Sequence, residues 1–417
     1  MWNKINFHTV TERHGIDMKI AVLGYGVVGS GVYEVIQKNH DTIAKRAGQP
    51  IDIKYVLDLR EFPGDPVSEI LTHDYQDIIN DPEVQIVVEV MGGIEPAYTF
   101  VKGALLKGKS VCTSNKELVA KHGAELLEIA KQKKINFLFE ASVGGGIPII
   151  RPLNQSLTVD EIEEITGILN GTTNYILTKM QEENLDFADV LKQAQELGYA
   201  ERKPEADVEG YDACRKIAIL TSLAYGMHVD FEEIYTEGIT KITSNDFEYA
   251  KELGAKIKLF GSSKKVGSEV YTMVAPKLIQ EKHPLYNVNG VFNGILVKGN
   301  MLGDIMFYGS GAGKLPTASA VVSDVVDATK HLGTHVMTIW SSKPLVLADI
   351  KKYEGKFFVR VPAKEQEKAE SLFDISRVIK TKTITDEFAF ITEPVSEEEF
   401  AKKAEELTVL NRVRVEF

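Results

Sequence analysis

The chain has 417 residues, 44% of them hydrophobic, and its 48 basic and 60 acidic side chains leave a net charge of -12. That length exceeds a single hydrophobic core and implies two or three domains, and the acidic balance argues against nucleic acid or an anionic membrane as the partner. The only cysteines, Cys112 and Cys214, fit no metal-binding or redox spacing, which suits a reduced cytoplasmic protein, and no apolar run reaches the roughly 20 residues that span a bilayer.

The start is polar, and Met18 stands directly before the first strand-like run, so residues 1–17 read either as an extension or as an alternative start upstream of the true one, in both cases without chemistry. Short β-branched runs at 19–24, 53–58, 84–90, 110–113 and 135–139 then alternate with helical stretches. This alternation predicts an α/β fold: a Rossmann-like parallel sheet wrapped by helices over residues 18–150.

Gly24-Tyr25-Gly26-Val27-Val28-Gly29 follows the first run and opens a helix. In that setting the glycines bring backbone and helix N-terminus up to a pyrophosphate, which makes Gly24, Gly26, Val27, Val28 and Gly29 candidate cofactor contacts. At the end of the second strand, Asp58 suits the ribose 2′-hydroxyl of NAD and Arg60 suits the 2′-phosphate of NADP. Both cofactors are therefore expected.

Thr113-Ser114-Asn115-Lys116 closes the fourth predicted strand, where parallel sheets bind ligands, so Thr113, Ser114 and Lys116 are candidates. A lysine at a helix start opposes the dipole, which favours a functional role. After the fifth strand comes Val143-Gly144-Gly145-Gly146-Ile147-Pro148. Its turned carbonyl groups suit a hard cation, and a hinge between domains accounts for it equally well.

From residue 151 the pattern changes. Longer runs at 158–170, 257–262, 269–278 and 291–297 predict a mostly antiparallel second domain over 151–314. Within it, Asn170-Gly171-Thr172-Thr173-Asn174-Tyr175 is a capping turn, either a plain cap or a helix N-terminus for a substrate carboxylate.

Residues 198–216 crowd acids ahead of a helix on which Asp212 and Lys216 stand four apart, on one face. That pair is either an ordinary ion pair or a proton donor with its partner. The stretch 217–224 is apolar on nearly every side, which predicts burial. Glu205, Asp207 and Glu209 read as solvated loop charges.

A helix over 315–332 is rich in small residues and is expected to return to the first domain. Residues 355–417 then show the order βαββαβ of a ferredoxin-like module.

Taken in order, these motifs resemble homoserine dehydrogenase across residues 19–332: the glycine motif, 113–117, 140–149, 169–177, 197–216, and 309–313 before Pro316-Thr317-Ala318-Ser319. The resemblance implies reversible NAD(P)H-dependent reduction of L-aspartate 4-semialdehyde to L-homoserine, a step toward threonine, methionine and isoleucine, by a homodimer or homotetramer. It makes Lys216 the acid/base, with Lys116 a second lysine at the reacting oxygen and Asp212 orienting Lys216. It puts Glu201 and Asp212 on the substrate ammonium, Gly171, Thr172 and Tyr199 around the substrate, and Gly311 at the cofactor. It also implies a structural monovalent cation, sodium, held by backbone carbonyls at Glu140, Val143, Gly145 and Ile147.

Two positions depart from the family pattern. Leu57 stands where an arginine is usual, which leaves the choice between NAD and NADP open. The C-terminal module resembles an ACT domain, but residues 361–365 lack the Asp-x-x-Gly ligand turn, which leaves its role between assembly and amino acid control. A thiolate-dependent aldehyde dehydrogenase competes as a reading, but Cys214 lies two residues from Lys216 and off its face, and Cys112 sits within a strand. A cofactor-binding sensor without catalysis is the other alternative; the joint presence of Lys116, Glu201, Asp212 and Lys216 opposes it.

Overall fold

A computed structural model describes residues 17–417, so the extension expected at 1–17 lies, Asp17 apart, outside the described residues. The first unit begins with β1 (Met18–Leu23), α1 (Val27–Lys38), α2 (His40–Ala47), β2 (Ile51–Leu57), β3 (Leu71–Thr72) and α3 (Tyr75–Ile79). It continues with β4 (Val84–Glu89), α4 (Ala97–Leu106), β5 (Ser110–Thr113), α5 (Lys116–Lys133) and β6 (Phe137–Leu138). All six strands are parallel, in the order β3-β2-β1-β4-β5-β6.

Both faces of this sheet are covered, and alternation along each strand divides its side chains between two cores. Ile20, Val22, Ile86 and Val88 enter one, while Ala21, Leu23, Val87 and Val111 enter the other. The sequence predicts five strands with 110–113 as the fourth; β3 makes it the fifth. That strand pairs only through Val56–Leu71 and Leu57–Thr72, too short to leave a periodic signal.

The second unit opens with β7 (Ile162–Ile168), α6 (Gly171–Glu183), α7 (Phe187–Glu196), α8 (Glu205–Val208) and α9 (Tyr211–Tyr225). Next come β8 (Met227–His228), β9 (Tyr235–Thr236), α10 (Ser244–Glu252), β10 (Ala255–Val266), β11 (Glu269–Gln280), β12 (Phe292–Gly299) and β13 (Gly303–Ser310). The order β13-β12-β7-β10-β11 is antiparallel throughout. Strand β13 has no counterpart among the predicted elements, because Gly303, Asp304 and Gly309 depress its strand propensity. The hairpin with β12 imposes it.

Helix α11 (Lys314–Lys330) lies against α1 so closely that a Cβ on Gly31 would meet the Lys314 carbonyl at 2.7 Å. The chain then adds β14 (Ser341–Pro344), which pairs with β8. The last segment holds β15 (Glu354–Pro362), α12 (Gln366–Leu372), β16 (Ile375–Ile379), β17 (Glu387–Thr392), β18 (Val395–Ser396), α13 (Glu397–Ala404) and β19 (Asn411–Val415). Its strand order, β19-β15-β17-β16, is the ferredoxin-like one.

Strand β19 also pairs in parallel with β11, through Lys277–Arg414 and Leu278–Val415. The module therefore continues the sheet of the second unit, giving eleven strands in all. Among the described residues no helix is long and apolar enough to cross a membrane.

Candidate active site

The first half of the site lies at the carboxyl ends of β1, β2 and β4, where the sheet order reverses direction and a crevice opens. Each glycine of the motif has its own steric reason. Gly24 has φ +98°, Gly26 faces open space, and a Cβ on Gly29 would stand 2.0 Å from the Gly24 carbonyl oxygen. Gly26 begins α1 without a side-chain cap, so the first-turn N–H groups are free for an anion. Val27 is exposed beside them and Val28 half-buried.

A cavity of about 500 Å³ adjoins this turn, bordered by Gly24, Gly26, Asp58, Arg60, Tyr75 and Phe100. Tyr75 and Phe100 stack at 4.2 Å and form an apolar wall. Asp58 accepts from the Tyr25 N–H at 2.8 Å and from its neighbour Arg60, whose Nη2 lies 2.9 Å from Oδ2. The Arg60 guanidinium, with the two backbone N–H groups, holds the Asp58 carboxyl well below the usual carboxylate range against the effect of burial. The two candidate selectors of NAD and NADP thus occupy each other. An apolar-walled cavity beside a bare helix N-terminus, with an acid and an arginine at its rim, fits a dinucleotide.

Asn115 caps α5 by accepting from the Leu118 N–H, which leaves Lys116 as the first helical residue. Thr113 is fully buried and donates to Glu89 at 2.6 Å, while the Ser114 N–H reaches the Glu89 carbonyl. The Thr113 hydroxyl is therefore taken up at the end of β5, whereas only the backbone of Ser114 is engaged there and its side chain is half-buried. Glu89, not singled out from sequence, is buried, and burial raises its pKa.

The Gly-rich turn follows Glu140, whose carboxylate is consumed by the N–H groups of Ile149, Ile150 and Arg151 at 2.6–2.8 Å. Its carbonyl oxygen accepts from the Val143 N–H at 3.4 Å, which leaves one lone pair for a ligand. Gly144 and Gly145 both have positive φ, and a Cβ on Gly145 would stand 2.4 Å from the Gly311 carbonyl oxygen. Among the described residues no loop N–H bonds the carbonyl oxygens of Val143, Gly145 or Ile147. That set of bare carbonyl oxygens fits a hard monovalent cation. Gly311 packs on this turn and against Asn293, so its place is beside the Gly-rich loop.

The second half of the site is the mouth of α9, a helix buried as its all-round apolar sequence requires: Ala213, Ile217, Ala218, Ile219 and Leu220 are at most 1% exposed. Lys216 donates to Asp212 Oδ2 and to the Leu169 carbonyl, both at 2.7 Å. Lys116 reaches the other carboxylate oxygen, Asp212 Oδ1, at 2.8 Å. One carboxylate thus spans two ammonium groups from different halves of the molecule. Burial alone would raise the Asp212 carboxyl, but Lys216 and Lys116, with Asn170, hold it well below the usual range. Asp212 in turn raises Lys116 against desolvation.

Asn170 caps α6 through its Oδ1, and its Nδ2 donates to both Asp212 at 2.9 Å and Asp207 at 2.7 Å. Asp207 is therefore not the solvated loop charge expected from sequence. Helix α8 turns it inward, where burial and then Asp212 raise its pKa. Nothing in its sequence position sets it apart from the acids at 205 and 209.

Gly171 and Thr172 follow the cap, and Thr172 Oγ1 donates to the Tyr199 carbonyl at 2.7 Å. The Tyr199 ring packs on Tyr175 at 4.9 Å and remains 46% exposed, forming a rim. Glu201 is exposed; its carbonyl accepts from Gln195, and its carboxylate joins no ion pair among the described residues. The fold thus gathers Lys116, Asn170, Asp207, Asp212 and Lys216 and leaves Glu201 outside that network. Cys112 and Cys214 are both buried, and burial raises both thiols, which removes a reactive thiolate.

Comparison with known proteins agrees with this geometry. Residues 24–140 match the model of the homoserine dehydrogenase NAD-binding domain, and residues 148–326 match that of homoserine dehydrogenase. A homoserine dehydrogenase of Bacillus subtilis is 45% identical over 318 residues, covering 76% of this chain and 73% of its own. The structure of one from Thiobacillus denitrificans superposes with a TM-score of 0.88 at 35% identity, covering 96% of this chain and 98% of its own. A hyperthermophilic archaeal homoserine dehydrogenase in complex with NADPH matches with a TM-score of 0.65 at 28% identity, over 75% of this chain and 98% of its own. The chain belongs to the homoserine dehydrogenase family.

Proposed function

We propose that this chain interconverts L-homoserine and L-aspartate 4-semialdehyde using NAD or NADP, with Lys216 moving the proton. The observation that carries this reading is the Asp212 carboxylate held between Lys216 and Lys116. When bound, the dinucleotide exchanges a hydride with the carbon of the substrate. The proton on the adjacent oxygen is left to the protein, and an ammonium group is suited to it. In the reducing direction Lys216 Nζ donates a proton to that oxygen while Lys116 stabilises its developing charge.

Asp212 fixes both lysines and so sets where the reacting oxygen lies. The free N–H groups of Gly171 and Thr172, at the N-terminus of α6, receive the substrate carboxylate. Asp207 and Asp212, with Glu201 folding in from the rim beside Tyr199, surround the substrate ammonium. Asp58 and Arg60 stand at the rim that receives the ribose, so either can take the cofactor as the other yields. The carbonyl oxygens of Glu140, Val143, Gly145 and Ile147 would hold a sodium ion, which would stiffen the turn between the two halves.

Self-association is assigned to the outer hairpin of β12 and β13, where Phe292, Met306 and Tyr308 are each 40–52% exposed on a terminal hairpin of the large sheet. The deciding experiment is an initial-rate assay of L-homoserine oxidation at alkaline pH with each cofactor. Turnover with homoserine supports the reading; absence of turnover with both cofactors overturns it.

A further inference from the structure

The segment joining β9 to α10 connects the C-terminal module to the substrate acids. Its Glu237 N–H bonds the Val274 carbonyl of β11, and its Ile239 N–H bonds the Val208 carbonyl of α8, each at 2.8 Å. Between them, Gly238 lies so close to α8 that a Cβ there would stand 2.2 Å from the Val208 oxygen and 2.5 Å from the Glu209 Cα. Val208 and Glu209 follow Asp207 directly. Gly210, which starts the helix of Asp212, packs on Thr236 of the same segment, with 3.2 Å left for a Cβ. The backbone of 236–239 is thus the floor on which both acids rest.

The Glu237 side chain points toward the module. Its Oε2 lies 2.8 Å from Arg414 Nη1, 3.3 Å from Arg412 Nη2 and 3.0 Å from the Tyr235 hydroxyl. Arg414 is 5% exposed and is held on its other side by Glu397, the first residue of α13, at 2.5 Å. Arg412 lies over the Phe357 and Phe400 rings. Both arginines are therefore fixed by the module's own core.

Ile239 and Ile242 share one apolar core with Val413 and Val415 of the last strand, but that core does not fill the whole junction. A cleft of about 370 Å³, bordered by Glu209, Glu237, Lys241 and Arg412, separates the segment from the last strand. Charged links cross this cleft beside the shared core. Glu237 is the residue on which two of them converge.

We infer that Glu237 is a positioning residue for the substrate pocket, transmitting the placement of the C-terminal strand β19 through Gly238 and Ile239 to Asp207 and Asp212. The inference rests on the activity proposed above. It touches the amino acid end of the substrate and leaves the dinucleotide cleft alone. Loss of the link therefore shifts substrate affinity selectively.

The test is steady-state kinetics on the full-length chain with Glu237→Gln, an isosteric change that removes the charge. The expected result is a KM for L-homoserine raised by about three- to thirtyfold and a kcat lowered through Asp212, with the cofactor KM changed less than about twofold. Arg412→Gln, at the solvent edge of the same link, shifts the homoserine KM in the same direction and by less, and stands in if the first variant does not fold. The double variant is no worse than Glu237→Gln alone, because both changes break one linkage. An unchanged homoserine KM in folded variants overturns the inference, as does a parallel loss in kcat and both KM values. Failure of the parent chain to oxidise homoserine overturns the activity itself, and the inference with it.

Discussion

Lys116 Nζ lies 2.8 Å from Asp212 Oδ1, joining the first turn of α5 in the dinucleotide-binding unit to the first turn of α9 in the second unit. Asp212 is 4% exposed and uses its other oxygen for Lys216. The carboxylate therefore fixes the distance between two ammonium groups that would otherwise repel each other. That fixed separation is what a reacting oxygen requires when a proton and a charge must be handled at once.

Lys216→Ala removes the proposed proton carrier and leaves the nucleotide cleft intact. Turnover of L-homoserine is expected to fall by about 10²–10⁴-fold, the usual contribution of a general acid or base. Binding of NADPH, followed by its fluorescence, should change little. Full activity in the variant would remove Lys216 from this role.

Asp212→Asn leaves Lys216 and Lys116 without their shared counter-charge. Breaking a buried pair on one side costs about 3–5 kcal/mol, which urea denaturation at neutral pH would read directly. Activity should fall along with stability. A variant as stable as the parent would show that Asp212 is not the clamp described here.

Acid sensitivity follows from the same residue. The folded-state pKa of Asp212 lies below its unfolded value of about 3.9, so its contribution to stability is fully present above that value. It is lost as pH falls through the folded value. Denaturation midpoints measured from pH 5 downward should therefore drop more steeply in the parent than in Asp212→Asn; equal slopes would count against the assignment.

Cofactor choice should respond to the Asp58–Arg60 pair. Arg60→Ala removes the group suited to a 2′-phosphate, and kcat/KM with NADP is expected to fall about tenfold relative to NAD, the worth of one charge-assisted hydrogen bond. Asp58→Asn should shift the ratio the other way. The ratio of the two specificity constants, measured at one pH and ionic strength, decides it.

The Gly-rich turn predicts dependence on a monovalent cation. Replacing sodium by a bulky organic cation should lower the thermal midpoint of the parent chain. In Gly145→Ala, where the new Cβ would meet the Gly311 carbonyl oxygen at 2.4 Å, that response should disappear. An identical midpoint for the parent in both salts would leave the carbonyl cluster without an ion.

Local patterns were enough wherever a feature depends on neighbours in the chain. The βα alternation, the three glycines, the Asn170 cap and the apolar α9 are of this kind, because periodicity and backbone freedom act over a few residues. The four-residue spacing of Asp212 and Lys216 also announced their bond, though not its purpose.

Only the tertiary structure decided the rest. Lys116 meets Asp212 because two units fold against each other, and no spacing between such distant residues records that. Asp207 differs from Glu205 and Glu209 only in the direction α8 turns it. Strand β13 exists because β12 offers it a hairpin partner, and β19 pairs with β11 although they belong to different stretches of chain. Sheet pairing and ion pairing are set by which surfaces come together in space, and a linear pattern carries that information only where the partners are close in sequence.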